Sequence, residues 1–350
     1  MVIRADASPQ VGSGHLMRTL ALADALGATG ARVIFASHQL APGLAERVTA
    51  HDHGVASVKG SPGSAEDLAE TLEVIAAARA GALVVDHYGV GSGYLEEVAR
   101  RFPGLVLVAI DDVADRVLPV HLVVNQNPDP PVARYRVLPT TRIIAGPEHA
   151  MLRPEFARAR AAGILDPAPS VETILVMMGG TDPTNQAAKV LAGLSLIPFR
   201  VRVLVVLGPE NPHREAISRL LQAAPYRGET CVNVPDVPGL LVQADLVVTP
   251  PSVSSLESLC LGRPLVTMTT AQNQGGNGKA LAQAGASVDL GWFEAVEPKD
   301  VAAAVRALMG DREARRRMSR LGMALVDGMG AQRVAEAIIA AMSEAIKERP

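Results

Sequence analysis

The feature that most constrains this chain is a rhythm. Short apolar runs recur at 2–5, 33–36, 82–85, 105–110 and 122–124, then at 173–178, 201–207, 231–234, 246–249 and 264–268, with helix-like spacing between them. The runs are rich in Val, Ile and Leu, as strands buried on both faces of a parallel sheet must be, and the intervening helices supply the crossovers. The reading is α/β throughout. Aromatic residues make up only 3% of the chain, so Leu, Val, Ile and Ala have to fill its cores.

With 350 residues the chain has length for two domains, each burying its own core. The rhythm breaks at 153–170, where Glu155-Phe156-Ala157-Arg158-Ala159-Arg160 leads into Asp166-Pro167-Ala168-Pro169. Prolines there oppose continuation of a helix, as a linker would. A strand, a glycine-rich loop and a helix then restart over 174–194. The expected division is one Rossmann-like domain over 1–160, a second over 171–325, and a last helix over 326–350 that packs back on the first. Two such halves facing each other leave a cleft at the carboxyl ends of their strands, where sheets of this kind bind ligands.

A hydrophobic share of 48% against 20% charged residues fits globular order. The formal charge of −3, with its basic residues scattered, gives no electrostatic footprint for nucleic acid or an anionic membrane. No run approaches the roughly 18 apolar residues of a membrane span, and no secretory leader is legible, so the expected location is the cytoplasm. Cys231 and Cys260 lack metal-ligand spacing and read as buried, reduced thiols.

Chemistry concentrates in the turns that follow the strands. After the first, Gln10-Val11-Gly12-Ser13-Gly14-His15 sets a histidine where a glycine-rich turn becomes a helix. Gly12 and Gly14 can take positive φ and admit a ligand to the backbone, and the free N–H groups of the first turn form an anion site. Leu16, Leu20, Ala23 and Leu26 mark the inward face of that helix, leaving Arg18 and Asp24 polar. A nicotinamide-dinucleotide fingerprint would need a third Gly or Ala where Met17 stands, and an acid after the second strand, where Ser37-His38-Gln39 follows.

Three further turns fall in the second half. Pro250-Pro251-Ser252-Val253-Ser254-Ser255-Leu256-Glu257 joins a strand to a helix, and its hydroxyls and free N–H groups suit a diphosphate. Glu257, read as first-turn, either accepts from ribose hydroxyls or compensates the helix dipole. Gly179-Gly180-Thr181-Asp182-Pro183-Thr184-Asn185 permits close approach of a ligand, or is a tight turn capped by Asp182 or Thr184. Ala271-Gln272-Asn273-Gln274 offers amides to sugar hydroxyls. In the first half, Asp86-His87-Tyr88 and Asp111-Asp112 end strands with acids that read as caps or hydroxyl acceptors rather than metal ligands. His38, His51, His53, His121, His149 and His213 read as structural or solvent-facing.

Taken together these segments resemble the UDP-sugar hydrolases of pseudaminic acid biosynthesis and their relatives in spore-coat polysaccharide synthesis, members of the glycosyltransferase-B superfamily. The matches run along nearly the whole chain, including Arg4-Ala5-Asp6-Ala7-Ser8, Gly12-Ser13-Gly14-His15, Asp86-His87-Tyr88, Asp111-Asp112, Gln126-Asn127, Leu152-Arg153-Pro154-Glu155-Phe156, Gly179 to Asn185 and Ala271 to Gln274.

The resemblance implies the glycosyltransferase-B fold: two Rossmann-like domains facing a central cleft, with neither metal nor other cofactor. It implies His15 as the base that deprotonates the attacking water. Gly179, Gly180, Ser254 and Ser255 would then lie near the diphosphate, Glu257 at the ribose, and Asn273 with Gln274 at the sugar. Gly12, Gly14, Arg18, Asp6, Asp86, Tyr88, Asn185, Val237 and Ser252 complete the expected substrate-binding set, with Asp6 a candidate to orient His15.

The chain departs from its relatives at Pro250-Pro251, where they carry a Gly-Gly-Ser-Thr run and Trp-Glu, at Gly89 to Gly93, where a Trp is usual, and at Asn125, where an Asp is usual. Proline loses the N–H and the φ freedom of glycine, so the phosphate contacts there must differ. The leading expectation is hydrolysis of a UDP-amino or UDP-deoxy sugar with inversion. Transfer of the sugar to a small acceptor, in the manner of cytosylglucuronate synthases, is the alternative. A catalytically silent nucleotide-sugar binder is the second.

Overall fold

The computed structural model describes residues 1–6, 14–38, 40, 42–164, 166–198 and 201–347. The chain divides into two compact units, Met1–Pro154 with Met329–Pro350, and Glu155–Gly328, so the backbone passes between them twice.

The strands of the first unit are β1 (Val2–Ala5), β2 (Ile34–Ser37), β3 (Gly54–Ser57), β4 (Ala82–Asp86), β5 (Val106–Ile110), β6 (Val117–Leu118), β7 (Leu122–Asn125), β8 (Arg136–Val137) and β9 (Arg142–Ala145). Seven form a parallel sheet in the order β3-β2-β1-β4-β5-β7-β9, while β6 and β8 pair apart from it. Its first helices are α1 (Gly14–Gly27), α2 (Pro42–Ala50), α3 (Ala65–Ala78) and α4 (Ser92–Arg101).

The second unit holds β10 (Thr173–Val176), β11 (Arg202–Leu207), β12 (Arg227–Val232), β13 (Leu246–Thr249), β14 (Leu265–Thr269) and β15 (Val288–Trp292), all parallel in the order β12-β11-β10-β13-β14-β15. Around them lie α5 (Pro154–Ala161), which starts at the unit boundary, and α6 (Gln186–Leu194), α7 (Arg214–Ala223), α8 (Val237–Val242), α9 (Val253–Cys260), α10 (Asn277–Gln283), α11 (Pro298–Gly310) and α12 (Arg312–Leu325). The chain then returns to the first unit as α13 (Gly330–Lys347).

Alternation along the strands explains the layers. In the first unit Val2, Leu83, Leu107 and Val123 point to the core shared with α3 and α4, whereas Ile3, Val84, Val108 and Val124 point to the one shared with α1 and α13. Leu16, Leu20, Ala23 and Leu26 of α1 are fully buried there, beside Val334, Ala335 and Ile338 of α13. Gly330 lets α13 start against the chain at 149–150, because a Cβ would stand 2.3 Å from the Ala150 carbonyl oxygen. In the second unit Ile174, Val176, Val203, Val248 and Val266 share one core with α6, α7 and α11.

The segment expected to act as a linker is instead bound into the second unit by arginines. Arg160 donates to the carbonyls of Cys260, Met323 and Val326, and Arg315 donates to those of Ala168 and Pro169. Prolines leave carbonyls without a matching N–H ladder, and a buried guanidinium satisfies several of them at once. Cys260 is core, and its burial pushes the thiol up to about 11. Cys231, expected to be buried, is half-buried on the edge strand β12. No helix among the described residues is long and apolar enough to cross a membrane.

Candidate functional site

In each sheet the strand order reverses at its first strand: β1 lies between β2 and β4, and β10 between β11 and β13. Crossovers leave such a strand toward opposite faces, so a crevice opens at its carboxyl end. The site candidates sort onto these two ends.

In the first unit, β1 and β4 pair in register through Ala5 opposite Asp86, and α1 sets His15 beside that carboxylate. The His15 Nδ1 lies 2.6 Å from Asp86 Oδ1, and the imidazole side chain is 11% exposed. Burial acts to raise the Asp86 carboxyl. The Arg18 charge and the hydrogen bonds from Arg18 and His15 outweigh it and hold the group well below the usual carboxylate range. An ionised carboxylate only accepts, so Nδ1 carries the ring proton and Nε2 keeps its lone pair. That is the disposition in which an imidazole serves as general base.

Arg18 continues the network. Its Nε lies 2.7 Å from Asp86 Oδ2 and its Nη2 2.6 Å from Oδ1, a two-pronged grip, while Nη1 reaches both oxygens of Asp112 at 3.1 Å. Tyr88 donates its hydroxyl to Asp112 Oδ2 at 2.9 Å and stands edge-on to the His15 ring, with centroids 5.1 Å apart. Burial acts against the Arg18 charge, but Asp112 and Asp86 raise its pKa well above the ordinary value.

Two expectations change here. Arg18, expected at the substrate, is buried and committed to two carboxylates. Asp6, considered as the partner of His15, is held by Arg4 at 2.7 Å, by the His38 backbone N–H at 2.7 Å and by His87 Nε2 at 3.2 Å. Burial raises its carboxyl, but the bonds from His87 and Arg4 hold it well below the usual range. Arg4 is itself fully buried and donates also to Asp67. Gly14 begins α1 without positive φ, and a Cβ there would meet open space, so its place needs no glycine. Gly12 lies outside the described residues. Asp111 accepts from the Val113 and Ala114 N–H groups as a cap. Asp112, by contrast, expected with Asp111 as a cap or hydroxyl acceptor, joins the network around His15 through Arg18 and Tyr88; its signal was a second acid after a buried strand.

In the second unit Gly179 has φ +99°, which glycine alone takes without strain. Gly180 accepts from the Gly208 N–H at 2.9 Å and from Asn211 Nδ2 at 3.0 Å, joining the turns after β10 and β11. Asp182 caps α6 by accepting from the Gln186 and Ala187 N–H groups at 2.8 Å, and Asn185 precedes that helix in left-handed conformation, φ +53°.

Ser252 stands before α9 without a side-chain capping bond. Ser255, expected at the diphosphate, is fully buried, and its hydroxyl donates to the Ser252 carbonyl at 2.7 Å; its part is to shape the turn. Ser254 is half-buried at the start of α9. Glu257 falls in the second turn of α9 rather than the first, so dipole compensation does not account for it. Gln274 spends its Oε1 on the Thr270 and Ala271 N–H groups, which leaves its NH2 as the group it can offer a sugar; Asn273 is exposed beside it. Val237 begins α8 after β12, behind the Asp236 cap.

Among the described residues no group of three or more His, Cys, Asp or Glu is arranged to hold a metal ion. A cavity of about 460 Å³ opens at the amino ends of β2 and β3, the opposite edge of the sheet from His15. There the Asp24 carboxylate holds both His51 Nδ1 and His53 Nε2 at 3.0 Å.

No protein-family model matches the chain. It is 32% identical over 205 residues to the spore coat polysaccharide biosynthesis protein SpsG of Bacillus subtilis, over 58% of this chain and 59% of that protein. The chain thus spans somewhat over half the length of that relative. Among solved structures it is similar to Acinetobacter baumannii MurG, with a TM-score of 0.69 and 15% identity over 97% of this chain and 99% of the other. It is similar also to the spinosyn rhamnosyltransferase SpnG complexed with thymidine diphosphate, with a TM-score of 0.63 and 17% identity over 96% and 99%. These likenesses extend over both units and identify the architecture: the chain has the glycosyltransferase-B fold.

Proposed function

We propose that this protein is an enzyme that releases UDP from a UDP-sugar by direct attack at the anomeric carbon, with inversion, and that His15 accepts the proton of the nucleophile. The observation that carries the reading is the short contact between His15 Nδ1 and Asp86, a carboxylate held ionised, at the switch point of the first sheet. It fixes the ring in the tautomer that a base requires. Supporting donors for the leaving diphosphate are the backbone N–H groups after β10 and at the start of α9, which act where negative charge develops.

Water is the nucleophile of the first reading, because the groups beside the base are charged or hydrogen-bonding: Asp86, Arg18, Asp112 and Tyr88. The second reading is transfer to a small acceptor. It draws support from the spore coat polysaccharide relative and from a spinosyn rhamnosyltransferase solved with the spinosyn aglycone. Incubation with a panel of UDP-sugars and TDP-sugars, with and without acceptors, separates the two. UDP released without acceptor establishes hydrolysis; release only with acceptor establishes transfer. No product with any donor, despite tight UDP binding, would leave a silent binder.

A further inference from the structure

The reading of His15 as base leaves the second carboxylate of the network without a task. Asp86 alone orients the ring and stabilises the charge it gains. Yet Arg18, which grips Asp86, brings its Nη2 to 3.2 Å from His15 Nδ1. Both nitrogens carry protons, so this is a contact between like partial charges rather than a hydrogen bond. A permanent cation at that distance opposes protonation of the imidazole, the event that general base catalysis requires.

Asp112 sits on the far side of the same guanidinium, with both oxygens 3.1 Å from Nη1. The charged groups facing the ring are therefore Asp86 at the end of β4, Arg18 on α1 and, through Arg18, Asp112 after β5; the neutral Tyr88 stands against the ring edge and bonds Asp112. The Asp6–His87 pair after β1 and β4 is turned to Arg4. With His15 neutral, one guanidinium and two carboxylates sum to −1. Proton uptake brings the cluster to zero. Without Asp112 the same uptake would end at +1 in a buried setting, where net charge is costly.

We infer that Arg18 and Asp112 act as a matched pair of positioning residues, in which Arg18 locks the Asp86 carboxylate against His15 and Asp112 cancels the Arg18 charge that would otherwise oppose proton uptake by the locked ring. This inference rests on the proposed role of His15, and it makes opposite demands of two neighbours. Loss of Asp112 leaves the guanidinium uncompensated and disfavours imidazolium. Loss of the Arg18 charge, with Asp112 intact, favours it. A purely architectural role for the pair has no reason to give shifts of opposite sign.

The test needs no substrate. The imidazole of His15 is followed by NMR across pH in the full chain, its resonances assigned by their absence in His15→Gln. Asp112→Asn is expected to move the midpoint of its titration down by about one pH unit, and Arg18→Met to move it up by a similar amount. The double variant, which removes one charge of each sign, is expected to return within about 0.3 unit of the wild type. An unmoved midpoint in Asp112→Asn, or shifts of the same sign in the two single variants, overturns the inference. Arg18→Met leaves two buried carboxylates without their cation; should it fail to fold, Asp112→Asn and the double variant carry the decision. Full turnover in His15→Gln would instead defeat the assignment of the base, a separate failure that the titrations do not mimic.

Discussion

At the scale of single residues, the proposed chemistry rests on one imidazole and the carboxylate that holds it. His15→Ala is expected to retain UDP binding by calorimetry while losing turnover by about 100- to 10,000-fold, the usual contribution of a positioned base. Wild-type turnover in that variant would remove His15 from the mechanism. Asp86→Asn has a consequence for stability. Because the folded protein holds Asp86 below the usual carboxylate range, its ion pairs stabilise the fold above the unfolded value of about 3.9, and that contribution is lost as pH falls below it. Asp86→Asn is therefore expected to cost about 3–5 kcal/mol at neutral pH, the penalty for breaking a buried pair, and to flatten the decline of stability below about pH 4. Urea unfolding at pH 7 and at pH 3 checks both parts. An equal loss at the two pH values would show that the pair is not the source. Asp182 works in the opposite sense. Burial raises its carboxyl, so its contribution is complete at low pH and is lost as pH rises through the folded value.

At the scale of elements, the turns after the strands are held by backbone geometry as much as by side chains. Gly179→Ala places a Cβ on a residue at φ +99° and is expected to destabilise the second unit by about 1–2 kcal/mol and to weaken UDP binding, whereas Gly14→Ala, at the exposed start of α1, is expected to be nearly neutral for stability. Thermal melts of the two variants make the comparison.

The same elements show what a sequence discloses. The central strands were legible because both faces are buried: β5 is apolar throughout, β4, β7 and β13 are apolar up to a polar last residue, and β1 and β14 keep mostly apolar runs around Arg4 and around Thr267 and Thr269. The edge strands β3, β9 and β15 were not, since Gly54–Ser57 is largely exposed, Arg142–Ala145 opens on an arginine, and Val288–Trp292 carries an aspartate and a glycine. His15 was legible from its place after a glycine turn, but its partner was not. Asp6 and Asp86 both follow apolar strands, and only the register of β1 on β4, with Arg4 drawing Asp6 away, decides between them. Helix periodicity likewise assigned Arg18 to a polar face, although two carboxylates make its burial possible.

At the scale of the whole molecule, the order of the chain and the order of its cores differ. The first unit is completed only by α13, which arrives after the entire second unit has been made. Val334, Ala335 and Ile338 are buried against the same core as Leu16, Leu20 and Ile3, so α13 covers the helix that carries the proposed base. Each large aliphatic side chain withdrawn from such a core loses about 2–5 kcal/mol, a large part of the 5–15 kcal/mol that a domain commands. The second unit has its own core within Glu155–Gly328 and does not draw on α13. A chain ending at Gly328 is accordingly expected to show two separated thermal transitions, with the second unit near its wild-type midpoint and the first lowered by at least about 4–8 °C, the shift that a loss of about 2 kcal/mol produces in a domain of this size. Ile338→Ala in the full chain is the milder form of the same experiment and is expected to lower only the first-unit transition. If truncation instead lowered both transitions together, the two units would share one cooperative core, and the independence argued from their separate packing would fail.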